Sequence, residues 1–165
     1  MMKDRAPFKV TSARSLQDVF ALLRAYPSVG DFLAFQFAID LNYSALTDFS
    51  EMEFVVAGPG ARSGIRKTFE GTAGLSDEDV IRAVAEFADR EFEQRGLRFQ
   101  SLWGRPLHLI DCQNLFCEID KYARVAHPNA VGAGRTRIKR RFAASTNPTT
   151  QWYPPKWRLQ PYSAD

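Results

Sequence analysis

Apolar residues are spaced along this chain in a way that predicts a mainly α-helical protein. They recur every three or four residues over about 15–26, 76–95 and 107–125, as in a helix with one buried face. The stretch 31–42 is apolar nearly all round, which is typical of a helix at the centre of a core. A shorter helix is predicted from about 63 to 69.

Local signals mark where the predicted elements begin and end. Ser76 can cap the acid-rich helix, three acidic residues follow it in the first turn, and Gly96 follows the end. The run 54–56 is of β type and leads into a Gly-rich segment. The last part of the chain is basic and then rich in proline and aromatic residues. We therefore expect a helical domain over 1–142 and an extended tail over 143–165.

A Pro-x-x-Gly turn joins the first two predicted helices. Pro27 fixes the start of this turn, and Gly30 can adopt the left-handed backbone that such a turn needs. In a helix-hairpin-helix, the backbone amides of the turn and the N-terminus of the second helix face a nucleic-acid phosphate. We expect Ser28 and Gly30 to contact DNA in this way. The structural alternative is a plain helical corner.

The length and composition of the chain limit the class of protein to which it can belong. The chain has 165 residues, of which 45% are apolar, enough for one domain with a sizeable core. No stretch of about 18 uncharged apolar residues occurs, and the N-terminus lacks the apolar core of a secretion signal. We therefore expect a cytoplasmic protein that does not contact a membrane. Cys112 and Cys117 point to different faces of one predicted helix, as suits reduced thiols.

The net charge of +3 is modest, but the positive residues are clustered late in the chain. The segment 134–141 carries five cations in eight residues. Such a cluster is what neutralisation of nucleic-acid phosphates requires, with a solvated basic surface as the alternative. The expected DNA contacts of this segment are Arg135, Arg137, Lys139 and Arg140.

The Gly-rich segment 58–67 is the first candidate for chemistry. Its small residues open the backbone to a bulky anion, and its cations supply positive charge. The segment does not have the spacing of a nucleoside-triphosphate loop, because Gly64 is followed by Ile65 rather than by Lys. The alternative is a glycine turn that only lets two helices pass closely. The expected phosphate or pyrophosphate ligands are Gly58, Gly60, Arg62, Arg66 and Lys67.

The last predicted helix carries a polar stripe, which is the second candidate. The stripe could line a pocket, with a carboxylate as general base and an amide that reads a base edge, or it could face solvent. From spacing alone, solvent exposure is slightly favoured. His108 and Cys112 have a spacing that metals favour, but further ligands are not evident, so no metal is expected. The residues of the stripe are Asp111, Asn114, Glu118 and Lys121.

Four segments, at 26–36, 40–44, 54–61 and 111–122, carry a resemblance to a known family. In this order they resemble the alpha-glutamyl/putrescinyl thymine pyrophosphorylase group. That group includes the helical domain of phage 5-hydroxymethyluracil DNA kinases and the amino-acid:DNA transferases. The resemblance covers about residues 16–142. It implies a helical fold related to the helix-hairpin-helix DNA glycosylases.

The resemblance also implies a function in the hypermodification of thymine in DNA, chiefly in bacteriophages. A hydroxymethyl group on uracil in DNA is pyrophosphorylated, and an amine such as an amino acid or putrescine then displaces the pyrophosphate. The implied partners are double-stranded DNA with a modified pyrimidine, the amine, and a separate DNA kinase. No cofactor is expected. No nucleotide-binding kinase domain is evident in this chain, so we do not expect it to phosphorylate alone.

On this interpretation the chain is an enzyme, a DNA base-modifying transferase. The cations of segment 58–67 would hold the departing pyrophosphate. Asp111 or Glu118 would deprotonate or orient the amine, and Asn114 would pair with a base flipped from the duplex. Lys121 completes the expected catalytic set.

Two alternative functions are compatible with the same residues. One is a glycosylase-like enzyme that excises a modified base with Asp40, Asp48 or Asp111. Glycosylases of this superfamily place a catalytic Asp after a short hydrophobic run. Here the run 54–56 leads to Ala-Gly instead, which makes excision less favoured. The other alternative is a DNA-binding module without catalytic activity that delivers a partner enzyme.

Overall fold

A computed structural model describes residues 3–101, 104–129 and 152–159, and in these it contains α-helices and no strand. The mainly helical prediction is confirmed. A 3₁₀ turn, Pro155–Trp157, lies in the segment 152–159. The helices are α1 Ala6–Thr11, α2 Leu16–Arg24, α3 Asp31–Asn42, α4 Pro59–Thr68, α5 Asp77–Gln94 and α6 Leu109–Ala126.

Three of the predicted helices match α2, α3 and α5 to within about two residues, and the last matches α6 closely. The predicted cap of α5 is confirmed. The Ser76 Oγ accepts the Asp79 N–H at 3.1 Å, and the Asp79 carboxylate accepts the Ser76 N–H at 3.3 Å, which is a capping box. The predicted start of α4 at 63 was wrong. This helix begins at Pro59, because proline is preorganised for the first helical position and lacks an N–H to satisfy.

The run 54–56 was expected to be of β type, but the structure forms no strand there. Within the part of the chain that the structure describes, no strand lies beside this run to pair with it. The backbone that follows it is held by side chains instead. The Glu78 Oε1 accepts the Ala57 N–H at 2.8 Å, and the buried Gln113 Oε1 accepts the Gly58 N–H at 3.3 Å. These two bonds place the start of α4 beside α5 and α6.

The core lies between two packed pairs of helices, α2 with α3 and α4 with α6, and α5 packs against α6. Each helix contributes side chains that are almost entirely removed from water, which supplies most of the driving force for folding. The largest fully buried apolar side chains are Phe35, Phe116, Leu16, Ile65, Ile81, Leu109 and Val19.

Helix α3 differs from its prediction, because it is not buried all round. It packs into the core through Ala34, Phe35, Ala38 and Ile39. Three large apolar side chains on its other faces are partly exposed to solvent, at 38%, 45% and 42% of their surface. These side chains are Phe32, Leu33 and Phe37.

Helices α4 and α6 approach each other closely at glycines. A Cβ at Gly60 would lie 2.9 Å from the Cys117 Sγ, and a Cβ at Gly64 would lie 2.0 Å from the Phe116 carbonyl oxygen. Gly60 and Gly64 are four residues apart, so both lie on the face of α4 that contacts α6. These two glycines therefore allow α4 and α6 to pack closely, which was the alternative to anion binding considered for this segment.

Candidate anion-binding groove

The turn between α2 and α3 is held in place by a pair of charges. The Arg24 guanidinium pairs with the Asp31 carboxylate and also donates to the Val29 carbonyl oxygen at 3.2 Å. The left-handed residue of the turn is Ser28, with φ of 66°, and not Gly30 as expected. Gly30 has extended backbone and is the N-cap of α3. Glycine is thus not required at position 30 for its φ angle.

A groove of about 590 Å³ lies where α3 and α4 begin. It brings together the two segments that the sequence pointed to separately, the hairpin and the Gly-rich segment. The first residues of both helices line the groove, so the positive ends of both helix dipoles lie there. Neither helix has a side-chain cap at its N-terminus. Its lining residues are Gly30, Asp31, Phe32, Leu33, Ala57, Pro59, Gly60, Arg62, Ser63, Arg66 and Arg124.

Arginine supplies most of the charge of the groove. Arg66 is exposed to solvent on α4. The Arg62 Nε donates to the Ala57 carbonyl oxygen at 2.9 Å, and its guanidinium lies 3.8 Å from the carboxylates of Asp77 and Glu78. Arg62 is therefore partly neutralised, and Arg66 is the more available cation for a bound anion.

A buried network of charges lies behind the wall of the groove. The carboxylate of Asp120, which is 1% exposed, accepts hydrogen bonds from the Ser63 Oγ at 2.6 Å and the Lys67 Nζ at 2.7 Å. The Arg124 guanidinium pairs with the other oxygen of Asp120. Burial by itself would raise the pKa of Asp120, but the hydrogen bonds from Lys67, Ser63 and Arg124 outweigh it and lower that pKa.

This network changes the assignment of one expected phosphate ligand. The Lys67 side chain is 6% exposed and is bonded to Asp120, so it does not line the groove with Arg62 and Arg66. Two groove residues, Ser63 and Arg124, were missed from the sequence. The spacing of residues does indicate that they could interact. Ser63 and Lys67 are four residues apart on one helix face, and so are Asp120 and Arg124.

The four expected catalytic residues of α6 do not line the groove. The Asp111 carboxylate accepts the His108 N–H at 2.8 Å and pairs with Arg105 at 2.7 Å, so it stabilises the start of α6. Asn114, Glu118 and Lys121 are exposed, and the last two form an ion pair with each other. Asp40 and Asp48 also lie outside the lining. The DNA contacts expected at Arg135, Arg137, Lys139 and Arg140 lie outside the described residues.

A second buried cluster attaches the segment 152–159 to the helices. The Glu51 carboxylate, which is 4% exposed, lies 3.1 Å from the His108 Nδ1 and 3.4 Å from the Arg105 guanidinium. It also accepts the Trp157 indole N–H at 3.1 Å. The Arg105 guanidinium lies 3.9 Å from the centre of the Trp157 ring, as in a cation–π contact. This cluster was not found from the sequence, because its members are up to 106 positions apart.

Glu51→Gln is expected to reduce the free energy of unfolding by about 1–2 kcal/mol at neutral pH, because charged hydrogen bonds become neutral ones. Burial alone would raise the pKa of Glu51, but the hydrogen bonds from His108 and Trp157 lower it overall. The contribution of the charge is therefore present above the ordinary glutamate pKa of 4.5 and is lost as pH falls through the lowered value. Urea unfolding of both proteins across this range, followed by tryptophan fluorescence, measures the difference. A difference that does not change with pH would contradict the prediction.

The fold and the groove define a class: a small helical domain with a basic groove at the start of two helices. Residues 1–132 match the family described as 5-hmdU DNA kinase, helical domain, and the chain belongs to this family. It is also similar to a 5-hmdU DNA kinase of Bacillus phage SP10, with 26% identity over 128 residues. That alignment covers 73% of this chain but 20% of the phage protein, so the chain spans about a fifth of its relative.

No solved structure matches the chain. Within the ranges that the structure describes, no helix is long and apolar enough to cross a membrane.

Proposed function

We propose that this domain acts in the hypermodification of thymine in DNA and binds a phosphorylated 5-hydroxymethyluracil nucleotide in its groove. Two things support this proposal: membership of the 5-hmdU DNA kinase helical-domain family and the chemistry of the groove. The observation that carries it is that Arg66 is an exposed cation in the groove where α3 and α4 begin. The guanidinium group of arginine and the N-terminus of a helix both donate hydrogen bonds to phosphate oxygens.

The proposed reaction is the transfer of an amine to pyrophosphorylated 5-hydroxymethyluracil in DNA. The nitrogen lone pair of an amino acid or a polyamine attacks the methylene carbon, and a C–N bond forms. The C–O bond to pyrophosphate breaks, pyrophosphate leaves with the bonding electrons, and the amine nitrogen loses a proton. Negative charge grows on the leaving group during this step. Arg66 and the two helix N-termini would stabilise that charge.

The amine proton needs an acceptor, and Asp111 or Glu118 is proposed for this role, with Asn114 and Lys121 as its neighbours on α6. Because these residues lie outside the groove, their part in the reaction is tested separately from the binding of pyrophosphate. Asp111→Asn and Glu118→Gln should each slow amine transfer but leave DNA affinity unchanged. Transfer at the original rate in both variants would exclude these two carboxylates.

We also propose that α2, its turn and α3 form a helix-hairpin-helix related to that of the DNA glycosylases. The two helices pack together, and Arg24 fixes the turn through Asp31 and Val29. The N-terminus of α3 then faces the groove, as a hairpin that binds a DNA phosphate requires. Ser28 and Gly30 remain the proposed contacts in this turn.

A second candidate function is a DNA-binding module without catalytic activity that works with a separate DNA kinase. One observation favours it: the residues expected to carry acid–base chemistry, Asp111 and Glu118, do not line the groove. On this candidate the groove only holds DNA phosphate.

One experiment separates the two candidates. The purified protein is incubated with duplexes that carry thymine, 5-hydroxymethyluracil or its pyrophosphorylated form, together with a mixture of amino acids and polyamines. The DNA is then digested to nucleosides for mass spectrometry. A heavier nucleoside from the pyrophosphorylated duplex alone would support the transferase. Unchanged nucleosides, with DNA bound to the protein, would favour the binding module. A free base would contradict both.

Arg66→Ala is expected to weaken DNA binding several-fold and to reduce the slope of log K against log salt by about 1, because one phosphate contact is lost. Fluorescence anisotropy with a labelled duplex at several salt concentrations measures both quantities. Arg90→Ala is the matched control, since Arg90 is an exposed arginine on α5 that does not line the groove. Equal effects of the two substitutions would count against the groove as the DNA site.

A further inference from the structure

One aromatic side chain lines the groove and has no role in the proposed binding of phosphate. Phe32, in the first turn of α3, lines the groove and leaves 38% of its surface exposed. Leu33 beside it also lines the groove and is 45% exposed. Exposing two large apolar side chains next to each other gains nothing for folding. Neighbouring exposed apolar groups in a groove mark a surface that binds something.

The position of the Phe32 ring depends on the backbone at the start of α4. A Cβ at Gly58 would lie 2.5 Å from the Phe32 Cδ2 and 2.7 Å from its Cε2. Glycine at position 58 thus lets the ring lie directly against the N-cap of α4. The Phe32 ring therefore lies next to the N-terminus of α4, which is the positive end of the helix dipole.

Positive charge lies in the same groove as this apolar surface. Arg66 lines the groove as an exposed cation, whereas Arg62 and Arg124 are paired with carboxylates of α5 and α6. The carboxylate in the lining, Asp31, is paired with Arg24. An occupant of this groove is therefore expected to offer an apolar face to Phe32 and a negative charge to Arg66. A nucleotide has both parts, because its base has a π face and its sugar carries a phosphate.

We infer that Phe32 is a stacking platform for an unpaired pyrimidine base of DNA, with Leu33 extending the apolar surface and Arg66 holding an adjacent phosphate. This inference rests on the proposed function and extends it. The domain would recognise an unpaired base as well as the phosphate. Stacking of a base on an aromatic side chain contributes about 1–3 kcal/mol, which corresponds to roughly 5-fold to 150-fold in affinity.

The test compares two duplexes that differ in one base. Both carry a one-nucleotide bulge, which is a thymine in the first duplex and an abasic nucleotide in the second. The unmodified protein is expected to bind the thymine bulge about tenfold more tightly than the abasic bulge. Phe32→Ala should bind both duplexes with the lower affinity, whereas Phe32→Tyr should keep the preference. Phe37→Ala is the control, because Phe37 is exposed on α3 to a similar extent but does not line the groove.

The outcomes separate this inference from the proposed function. An equal loss of affinity for both duplexes in Phe32→Ala, or no preference for thymine in the unmodified protein, would overturn stacking while DNA binding stands. No binding of either duplex would overturn the proposed function together with the inference. Thermal unfolding of each variant checks that the fold is kept.

Discussion

Asp120→Asn is expected to destabilise the protein by about 3–5 kcal/mol, the cost of removing one partner from a buried ion pair. The carboxylate of Asp120 is the counter-charge for both Lys67 and Arg124, and the Lys67 side chain is 6% exposed. Without it two cations remain in the interface of α4 and α6, and the Ser63 hydroxyl loses a charged acceptor. A small domain has a total stability of about 5–15 kcal/mol, so much of it would be lost.

Urea unfolding of the two proteins at neutral pH measures this effect. Glu118→Gln is the matched control, since it removes an exposed ion pair from the same helix and should cost less than about 1 kcal/mol. Adding Lys67→Met to Asp120→Asn should recover part of the lost stability, because one of the uncompensated charges is removed. Equal effects of Asp120→Asn and Glu118→Gln would show that the buried network contributes little.

The pH dependence of the network follows from its charge. The pKa of Asp120 is lowered from the ordinary value of 3.8 by its hydrogen-bond donors. The stability that this charge contributes is therefore complete above that ordinary value and is lost as pH falls through the lowered pKa. The difference between the unmodified protein and Asp120→Asn should shrink over the same range of pH.

Gly64→Ala is expected to destabilise the protein by about 3 kcal/mol, at the upper end of the usual cost of overpacking. The added Cβ would lie 2.0 Å from the carbonyl oxygen of Phe116 and 2.7 Å from its carbonyl carbon. These are backbone atoms in the middle of α6, so no side-chain rotation can relieve the overlap. The two helices would have to move apart along the whole interface that also contains Asp120.

Thermal unfolding followed by circular dichroism measures this loss. Gly71→Ala is the control, because a Cβ at Gly71 meets nothing within 4 Å. That substitution should leave the stability nearly unchanged or raise it by a few tenths of a kcal/mol, since alanine restricts the unfolded chain. If Gly64→Ala were as stable as Gly71→Ala, α4 and α6 would not pack as closely as the structure shows.

Several local features of the fold were predictable from the sequence. The periodicity of apolar residues predicted α2, α5 and α6, and the nearly continuous apolar stretch 31–42 predicted α3. Ser76 with its acidic neighbours predicted the cap of α5. These features depend on residues within one or two turns of each other, so a local pattern contains the information. Helix α1 was not predicted. Its six residues make less than two turns, too few for a clear periodicity.

The candidate site was predictable only in part. The hairpin and the Gly-rich segment were both identified from the sequence. The sequence did not indicate that they would form one groove. Lys67 was expected to face an anion and instead faces Asp120, which lies 53 positions away. Nothing in the neighbourhood of either residue indicates this pairing. It arises because Gly60 and Gly64 let α4 and α6 approach closely enough for the side chains to meet.

The sequence by itself determined the helical class, most helix boundaries and the residues that supply positive charge, because these follow from short-range spacing and side-chain chemistry. Only the tertiary structure decided which of those residues share a site. It placed Arg66 and Phe32 in the groove, Lys67 in the interior, and Glu118 at the surface. The physical reason is that burial and pairing depend on contacts between helices far apart in the chain, and no local pattern encodes their geometry.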